Sequence, residues 1–333
     1  MMRVIQVGLG GMGNTWLQTV LASTEVKFAG FVEVDPIIAD KQCSQYGFDR
    51  NLVFSTLDQA LESVKADAVI NVTPPQFHTP ISVRALDAGL PVLSEKPLAD
   101  SIDSARVIVD KANANGVLHM VAQNRRYSPH AQTLKRVLRS GVLGRITGVT
   151  VEFFKGPHFG GFRDQMAYPL IIDMAIHHFD MLRFFLEAEP ITVFGHSWNP
   201  SWSWYKGDAA ASLQFEFSDK TGYNTHVAYN GSWCAIGQET SWDAHWRFDC
   251  ELGTLTMVND QVCQKIGTNE LQILPIVELP YSNQAYLLHE FYEAVTKRLT
   301  PATTCQDNLH SLAMVFDAIR AFETRLPVTH SVE

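Results

Sequence analysis

This 333-residue sequence has no apolar run long and unbroken enough to span a bilayer, which sets integral membrane proteins aside. Cysteine is scarce and unpatterned. Cys43, Cys234, Cys250, Cys263 and Cys305 are odd in number, irregularly spaced and form no CxxC. That argues against a disulfide framework and against a zinc site, and it suits a reducing compartment. Positive charge is in deficit, with 26 Lys and Arg against 35 Asp and Glu and a net charge of −9. Such a balance argues against nucleic-acid and anionic-membrane partners. The one basic stretch, with Arg125, Arg126, Lys135, Arg136, Arg139 and Arg145, reads mainly as a solvated helix face. Internal repeats, low-complexity segments and flexible linkers are also missing. The opening MMRVIQVGLG reads as a first strand and not as a secretory signal, so a cytoplasmic protein is expected.

What is present is core-forming material. Hydrophobic residues make up 46% of the chain, and its length suggests two domains. Residues 4–7 form a short apolar run followed by Gly8-Leu9-Gly10-Gly11-Met12-Gly13 and an amphipathic helix over about 15–22. Strand, GxGxxG and helix in that order suit a dinucleotide, because the glycines allow a tight turn and let the backbone approach a pyrophosphate at the helix N-terminus. A second strand over 26–34 carries Glu33, where a carboxylate suits the ribose hydroxyls and repels a 2′-phosphate, favouring NAD over NADP. Alternating strands and helices continue to about residue 123. Strand ends gather ligands in such sheets, and two of them fall at residues 71–75, with Thr73 and Pro74, and at Ser94-Glu95-Lys96-Pro97. His78 opens the helix after the first. The candidate cofactor contacts are therefore Gly8, Gly10, Gly11, Met12, Gly13, Glu33, Thr73, Pro74, His78, Glu95, Lys96 and Arg126.

The rhythm then changes. Residues 146–154, 191–197, 209–217, 223–229, 245–250 and 254–258 read as antiparallel strands, and 209–217 alternates as a half-exposed sheet should. Helices over about 284–298 and 306–325 close the chain. The sequence thus predicts an α/β protein: a dinucleotide-binding domain over 1–123, then an α/β domain with an open, mostly antiparallel sheet over 124–333. Six of the seven tryptophans fall between Trp198 and Trp246, as packing, interface or sugar-stacking residues.

The segment 169–186 reads PLIIDMAIHHFDMLRFFL, a helix apolar on all sides except at Asp173, His177, His178, Asp180 and Arg183. Asp173, His177 and Asp180 share one helical face, which is either a satisfied core network or a pocket wall with His177 as proton carrier. His178 reads as packing. The two adjacent histidines point about 100° apart and are poorly placed to chelate one ion; no metal set stands out elsewhere.

The glycine loop, EKP at 95–97, NRRY at 124–127 and DxxxH at 173–177 together resemble the Gfo/Idh/MocA oxidoreductases. The resemblance runs through nearly the whole chain. It implies a Rossmann domain followed by a sheet domain whose outer face is buried by another subunit, hence a homodimer or homotetramer. It puts Lys96 at the catalytic lysine position, and Asp173 and His177 at the acid and histidine positions of an inositol dehydrogenase-like triad, with Asp173 holding Lys96. By location, Arg126, His158, Arg163 and Tyr168 join Lys96, Asp173 and His177 as candidate substrate contacts. The implied activity is NAD-dependent oxidation of a sugar, a polyol such as an inositol, or a sugar derivative. Two alternatives stay open: an NAD-dependent glycosidase that oxidises C3 transiently, and a non-catalytic NAD- and sugar-binding regulator.

Overall fold

The computed structural model describes residues 1–332, whose contacts divide the chain into two compact units. The first takes Met1–Asn124 and Tyr281–Leu309, and the second takes Arg125–Pro280 and the chain from His310 onward. None of the described helices is long and apolar enough to cross a membrane.

In the first unit, β1 (Met2–Val7), β2 (Val26–Val32), β3 (Val53–Phe54), β4 (Ala68–Asn71), β5 (Val92–Ser94) and β6 (His119–Val121) form a six-stranded sheet in the order 3-2-1-4-5-6. Every pairing is parallel. The helices between the strands are α1 (Gly11–Leu21), α2 (Pro36–Tyr46), α3 (Leu57–Ser63), α4 (His78–Asp87) and α5 (Ile102–Asn115). Local chemistry sets their ends. Asp35 caps α2 by accepting the Ile37 N–H at 2.8 Å, with Pro36 in the first turn and Gly47 at φ 69° closing it. Strand order reverses between β1 and β4, so the crevice for a ligand opens beyond the carboxyl ends of these two strands.

The first unit's leading stretch ends at Asn124, beside the division expected at residue 123, and the chain returns to that unit later. Helix α6 (Pro129–Arg139) lies in the second unit, whereas the late helix α8 (Asn283–Lys297) lies in the first, since Ile176–Leu186 supplies α7 between them. Helix α8 buries Leu287, Leu288 and Phe291, and its His289 shares a 2.8 Å hydrogen bond with Glu25 just ahead of β2. The Val121 N–H donates to the Thr303 carbonyl at 2.8 Å, which adds an irregular segment beside β6. A late amphipathic helix carries no sequence mark of which core it will cover. The last helix, α9 (Cys305–Thr324), begins within the residues of the first unit and ends within those of the second.

The second unit is built on nine strands: β7 (Ile146–Phe154), β8 (Glu189–Trp198), β9 (Ala210–Ser218), β10 (Asn224–Ser232), β11 (His245–Cys250), β12 (Gly253–Val258), β13 (Gln261–Ile266), β14 (Gln272–Ile273) and β15 (Val328–Thr329). Their order is 14-13-12-11-7-10-9-8-15, antiparallel except for the β7–β10 pair. One sheet face is apolar: Leu213, Phe215 and Phe217 of β9, Val227 and Tyr229 of β10, and Trp246 and Phe248 of β11 are all buried. Helix α7 covers it, setting Phe179 edge-on against Phe215 and Tyr229, and Phe185 against Trp246 and Phe248.

His178 belongs to this layer. Its Nδ1 lies 3.2 Å from the Tyr229 hydroxyl and its ring 4.6 Å from that of Phe153. Burial, helped by the nearby Arg125, lowers its pKa from 6.5 to about 3. The unfolded chain takes up this proton below about pH 6.5, whereas the folded chain does not until far lower. The neutral ring's contribution to stability is therefore complete above that value and is lost as pH falls. By about pH 5 the loss reaches roughly 2 kcal/mol. Urea unfolding followed by tryptophan fluorescence, which reports chiefly on this unit, is expected to weaken between about pH 7.5 and pH 5. In His178→Gln the slope flattens; an unchanged slope would contradict the assignment.

Candidate active site

Valine-rich β1 delivers the chain into its glycine loop at the switch point. Gly8 sits at φ 96°, and a Cβ there would come within 2.7 Å of the Val72 carbonyl oxygen. A Cβ on Gly13 would meet the Gly8 carbonyl oxygen at 2.5 Å. Both are glycine because backbone lies against them. Gly10 and Gly11 differ: a Cβ on either meets nothing within 4 Å, so this side of the turn is open to a ligand. Helix α1 starts at Gly11 with no side-chain cap, leaving its first N–H groups facing the open side. Two glutamines that the sequence did not flag hold the loop. Gln6 Nε2 donates to the carbonyls of Gly8 and Gly13 at 3.0 and 2.9 Å, and Gln42 Nε2 donates to Leu9 O at 3.0 Å. Asn14, without a role on sequence grounds, accepts a 2.7 Å hydrogen bond from the Tyr46 hydroxyl and so ties α1 to α2.

Glu33 lies just past β2. Its Oε2 accepts the Leu9 N–H at 2.8 Å and its Oε1 the Asp35 N–H at 3.0 Å. A carboxylate has about four lone-pair sites, so both oxygens keep capacity for ribose hydroxyls while the protein fixes their direction. The open glycine turn and this carboxylate fit an adenine dinucleotide.

At the end of β4, the Asn71 Oδ1 accepts the Thr73 hydroxyl at 2.7 Å, placing Thr73 and Pro74 at the strand end. At the end of β5, Glu95 is buried; its Oε1 accepts the Trp16 indole N–H at 2.7 Å and its Oε2 the Lys96 N–H at 3.2 Å. Burial pushes this carboxyl up, against the indole and Lys96, which pull it down. Glu95 and His78, both expected to touch cofactor, direct their polar atoms into the protein. The fully buried His78 ring spans the Pro97 carbonyl at 2.7 Å and the Thr73 carbonyl at 2.8 Å. Its place is behind the two strand ends, which it clamps together. Half-buried Lys96 stands between Glu95 and a cis-linked Pro97.

In the second unit, the helix expected over 169–186 is not uniform. Leu170–Ala175 is a π-helical turn, and α7 follows directly. Wider turns of this kind recur at functional sites. The i, i+4, i+7 register assumed for Asp173, His177 and Asp180 therefore does not carry through. Asp173 accepts the Arg163 Nε–H at 2.8 Å, whereas Asp180 takes Arg126 Nε and Nη2 at 2.5 and 2.6 Å and the Ser311 hydroxyl at 2.8 Å. Arg126, expected at cofactor and substrate, is thus a buried partner of Asp180 stacked near Phe184. His177 is buried, with 6% of its surface exposed.

Arg163 comes from a short 3-10 turn, Gly161–Gln165, on the glycine-rich loop, and lies over the exposed rings of Phe159 and Phe162 at 5.7 and 4.8 Å. His158 stacks on Trp204 at 5.0 Å and meets Asp164 at 3.1 Å. Tyr168 instead has its hydroxyl 3.5 Å from Glu323 and its ring by Phe322. Sequence reasoning missed Tyr205, which burial, with Asp173 and Asp164 adding to it, pushes up to about 12. Its hydroxyl donates to the Pro157 carbonyl at 3.3 Å, a long-range contact that local patterning does not reveal. The structure therefore brings Asp173, Arg163, Asp164, His158, Trp204 and Tyr205 together, and leaves Tyr168 and Arg126 with other partners.

Comparison with known proteins gives these features a context. The model of an oxidoreductase family with an NAD-binding Rossmann fold matches residues 2–123, and that of the GFO/IDH/MocA C-terminal domain matches 131–256. The chain is 27% identical to the uncharacterized protein y4oX of Sinorhizobium fredii, over 98% of this chain and 95% of the other. It is 28% identical to scyllo-inositol 2-dehydrogenase (NAD(+)) of Bacillus subtilis, over 83% and 81%. Among solved structures, an oxidoreductase from Agrobacterium radiobacter, in complex with NAD+, L-tartaric acid and magnesium, superposes with a TM-score of 0.88 at 19% identity, over 98% of each chain.

Removing the Glu33 carboxylate should strip the ribose hydroxyls of their acceptor. Glu33→Ala is expected to weaken NAD binding about 10- to 100-fold and to narrow the gap to NADP, as read by fluorescence titration. Unaltered NAD affinity would contradict the role given to Glu33.

Proposed function

This chain belongs to the Gfo/Idh/MocA family of NAD-binding oxidoreductases, and we propose that it oxidises a secondary hydroxyl of a sugar, an inositol-like polyol or a sugar derivative. One observation carries the reading: a single chain holds a dinucleotide loop with Glu33, a strand-end Lys96, and an acid and a histidine four residues apart at a π-to-α junction. NAD supplies the hydride acceptor. The chain's own residues do the rest. Glu33 and the open glycine turn hold the cofactor and select against a 2′-phosphate. Lys96 donates a hydrogen bond to the carbinol oxygen and stabilises the negative charge that develops there. His177 takes the hydroxyl proton, a task suited to a neutral imidazole near neutral pH.

Asp173 and Arg163 offer a carboxylate and a guanidinium side by side, one accepting and one donating, which suits a ligand with adjacent hydroxyls. The exposed rings of Phe159 and Phe162 beside Arg163 add apolar faces on which a sugar ring stacks. The B. subtilis relative, an inositol dehydrogenase by name, supports the choice of substrate class.

The proposal extends to assembly. The face of the second sheet turned away from α7 carries a concave apolar patch at one end, with Phe154, Trp198, Trp202 and Ile236. Trp198, Trp202 and Ile236 are 48%, 59% and 75% exposed. A second copy covering this face, in a homodimer or homotetramer, removes that surface from water.

His177→Ala is expected to abolish NAD reduction by the best polyol or sugar while leaving NAD affinity within about twofold. Lys96→Ala is expected to lower kcat about 100-fold or more. Steady-state kinetics paired with cofactor titration measure both; loss of NAD binding in His177→Ala would overturn its assignment as the proton acceptor.

A further inference from the structure

The second unit carries a cluster that the proposed reaction does not use. Glu189 opens β8, His310 lies in α9, and His330 follows β15. One side-chain donor atom from each lies within 4.8 Å of the other two. Glu189 Oε2 is 3.6 Å from His310 Nδ1, and the two imidazole centroids are 5.9 Å apart. The backbone fixes His330 there, because its N–H donates to the Ile191 carbonyl at 2.8 Å as β15 pairs with β8.

The chemistry of His330 is the independent observation. Its side chain is 8% exposed, and its Nδ1 lies 2.7 Å from Asp317 Oδ2. A carboxylate accepts, so in the neutral ring the proton sits on Nδ1 and Nε2 presents a lone pair. That Nε2 is buried and has no hydrogen-bond partner. A carboxylate behind an imidazole whose other nitrogen is left unpaired, beside two further ligand residues, is the arrangement by which proteins orient a metal-binding histidine. Arg183 pairs with Glu189 through two 2.7 Å bonds and Arg320 with Asp317 at 2.8 Å, which leaves both carboxylates lone-pair capacity. Two imidazoles to one carboxylate favour a borderline-soft ion over magnesium or calcium.

We propose that Glu189, His310 and His330 bind one divalent cation of the zinc class, held by Asp317 behind His330. Bonds of about 2.0–2.2 Å require the three donors to close by roughly 1 Å, and the Glu189 and His310 side chains, 48% and 33% exposed, have room to do so. The ion fastens the C-terminal segment and α9 to β8, so it acts on stability and not on hydride transfer. The sequence conceals this site because its ligands are more than a hundred residues apart at the extremes.

The test uses the full chain, stripped by chelator and titrated with Zn²⁺ in a calorimeter, with His330→Gln, Asp317→Asn and His289→Gln beside it. Expected is one equivalent bound and a Tm raised by about 5 °C or more at a hundredfold excess over Kd. His330→Gln abolishes that binding, and Asp317→Asn, which supplies no ligand atom, weakens it about 10- to 100-fold. His289→Gln, in the other clustered set with Glu25 and Glu293, leaves it intact. Histidine ring resonances of the unmodified chain give a readout independent of any variant: those of His310 and His330 shift with Zn²⁺ while that of His289 stays. No stoichiometric binding, binding of unchanged affinity in His330→Gln, or a shift at His289 alone overturns the proposal.

Discussion

A carboxylate buried at a strand end must be satisfied on both oxygens, and the first unit is arranged around one such group. Glu95 takes the indole N–H of Trp16 with one oxygen and the Lys96 N–H with the other. The first bond reaches α1, which grows out of the glycine turn; the second sets the backbone of the proposed proton-polarising lysine. Leaving either donor without an acceptor costs about 1–3 kcal/mol, so the loop, the helix and Lys96 hold one another in place. His78 extends the same logic by joining the carbonyls of Thr73 and Pro97, one from each neighbouring strand end. The open backbone of the glycine turn and the strand ends is thus supported by committed polar side chains on the inside.

The second unit solves a similar problem with charge. Asp180, Arg126 and Ser311 form a buried set in which the carboxylate accepts from both the guanidinium and the hydroxyl. Such a set costs several kcal/mol if one member is lost, roughly 3–5 for an uncompensated charge. With Asp180 committed to packing, the π turn directs Asp173 elsewhere, to Arg163 and the loop that carries it. One apolar segment therefore holds a carboxylate committed to packing and another turned to a loop, separated by a local change of helical pitch.

How much of this was legible in the sequence follows the range of each interaction. The strand, glycine turn and helix were readable because a short loop contains the whole requirement, with backbone close against Gly8 and Gly13. Strands β7 and β11 match their expected bounds because alternation is local. The two-residue strands β3, β14 and β15 were missed because they are too short to show a period, and β13, reading QVCQKI, because its polar residues break the apolar alternation. Gln6 and Gln42 looked like ordinary polar residues until the fold set them under the loop. The pairing of Arg126 with Asp180 was not legible, because nothing near Arg126 in sequence announces that partner. The return of α8 to the first unit, and the gathering of Glu189, His310 and His330, likewise depend on contacts that the fold alone creates.

The most direct measurement of the central claim is isotopic. The enzyme is incubated with NAD and an inositol or sugar carrying deuterium on its carbinol carbons, and the cofactor is analysed by mass spectrometry. Deuterium in the reduced nicotinamide, formed in step with the ketone and absent with His177→Ala, is the predicted result. Turnover of substrate that leaves the carbinol deuterium in place, with no label reaching the cofactor, would contradict hydride transfer.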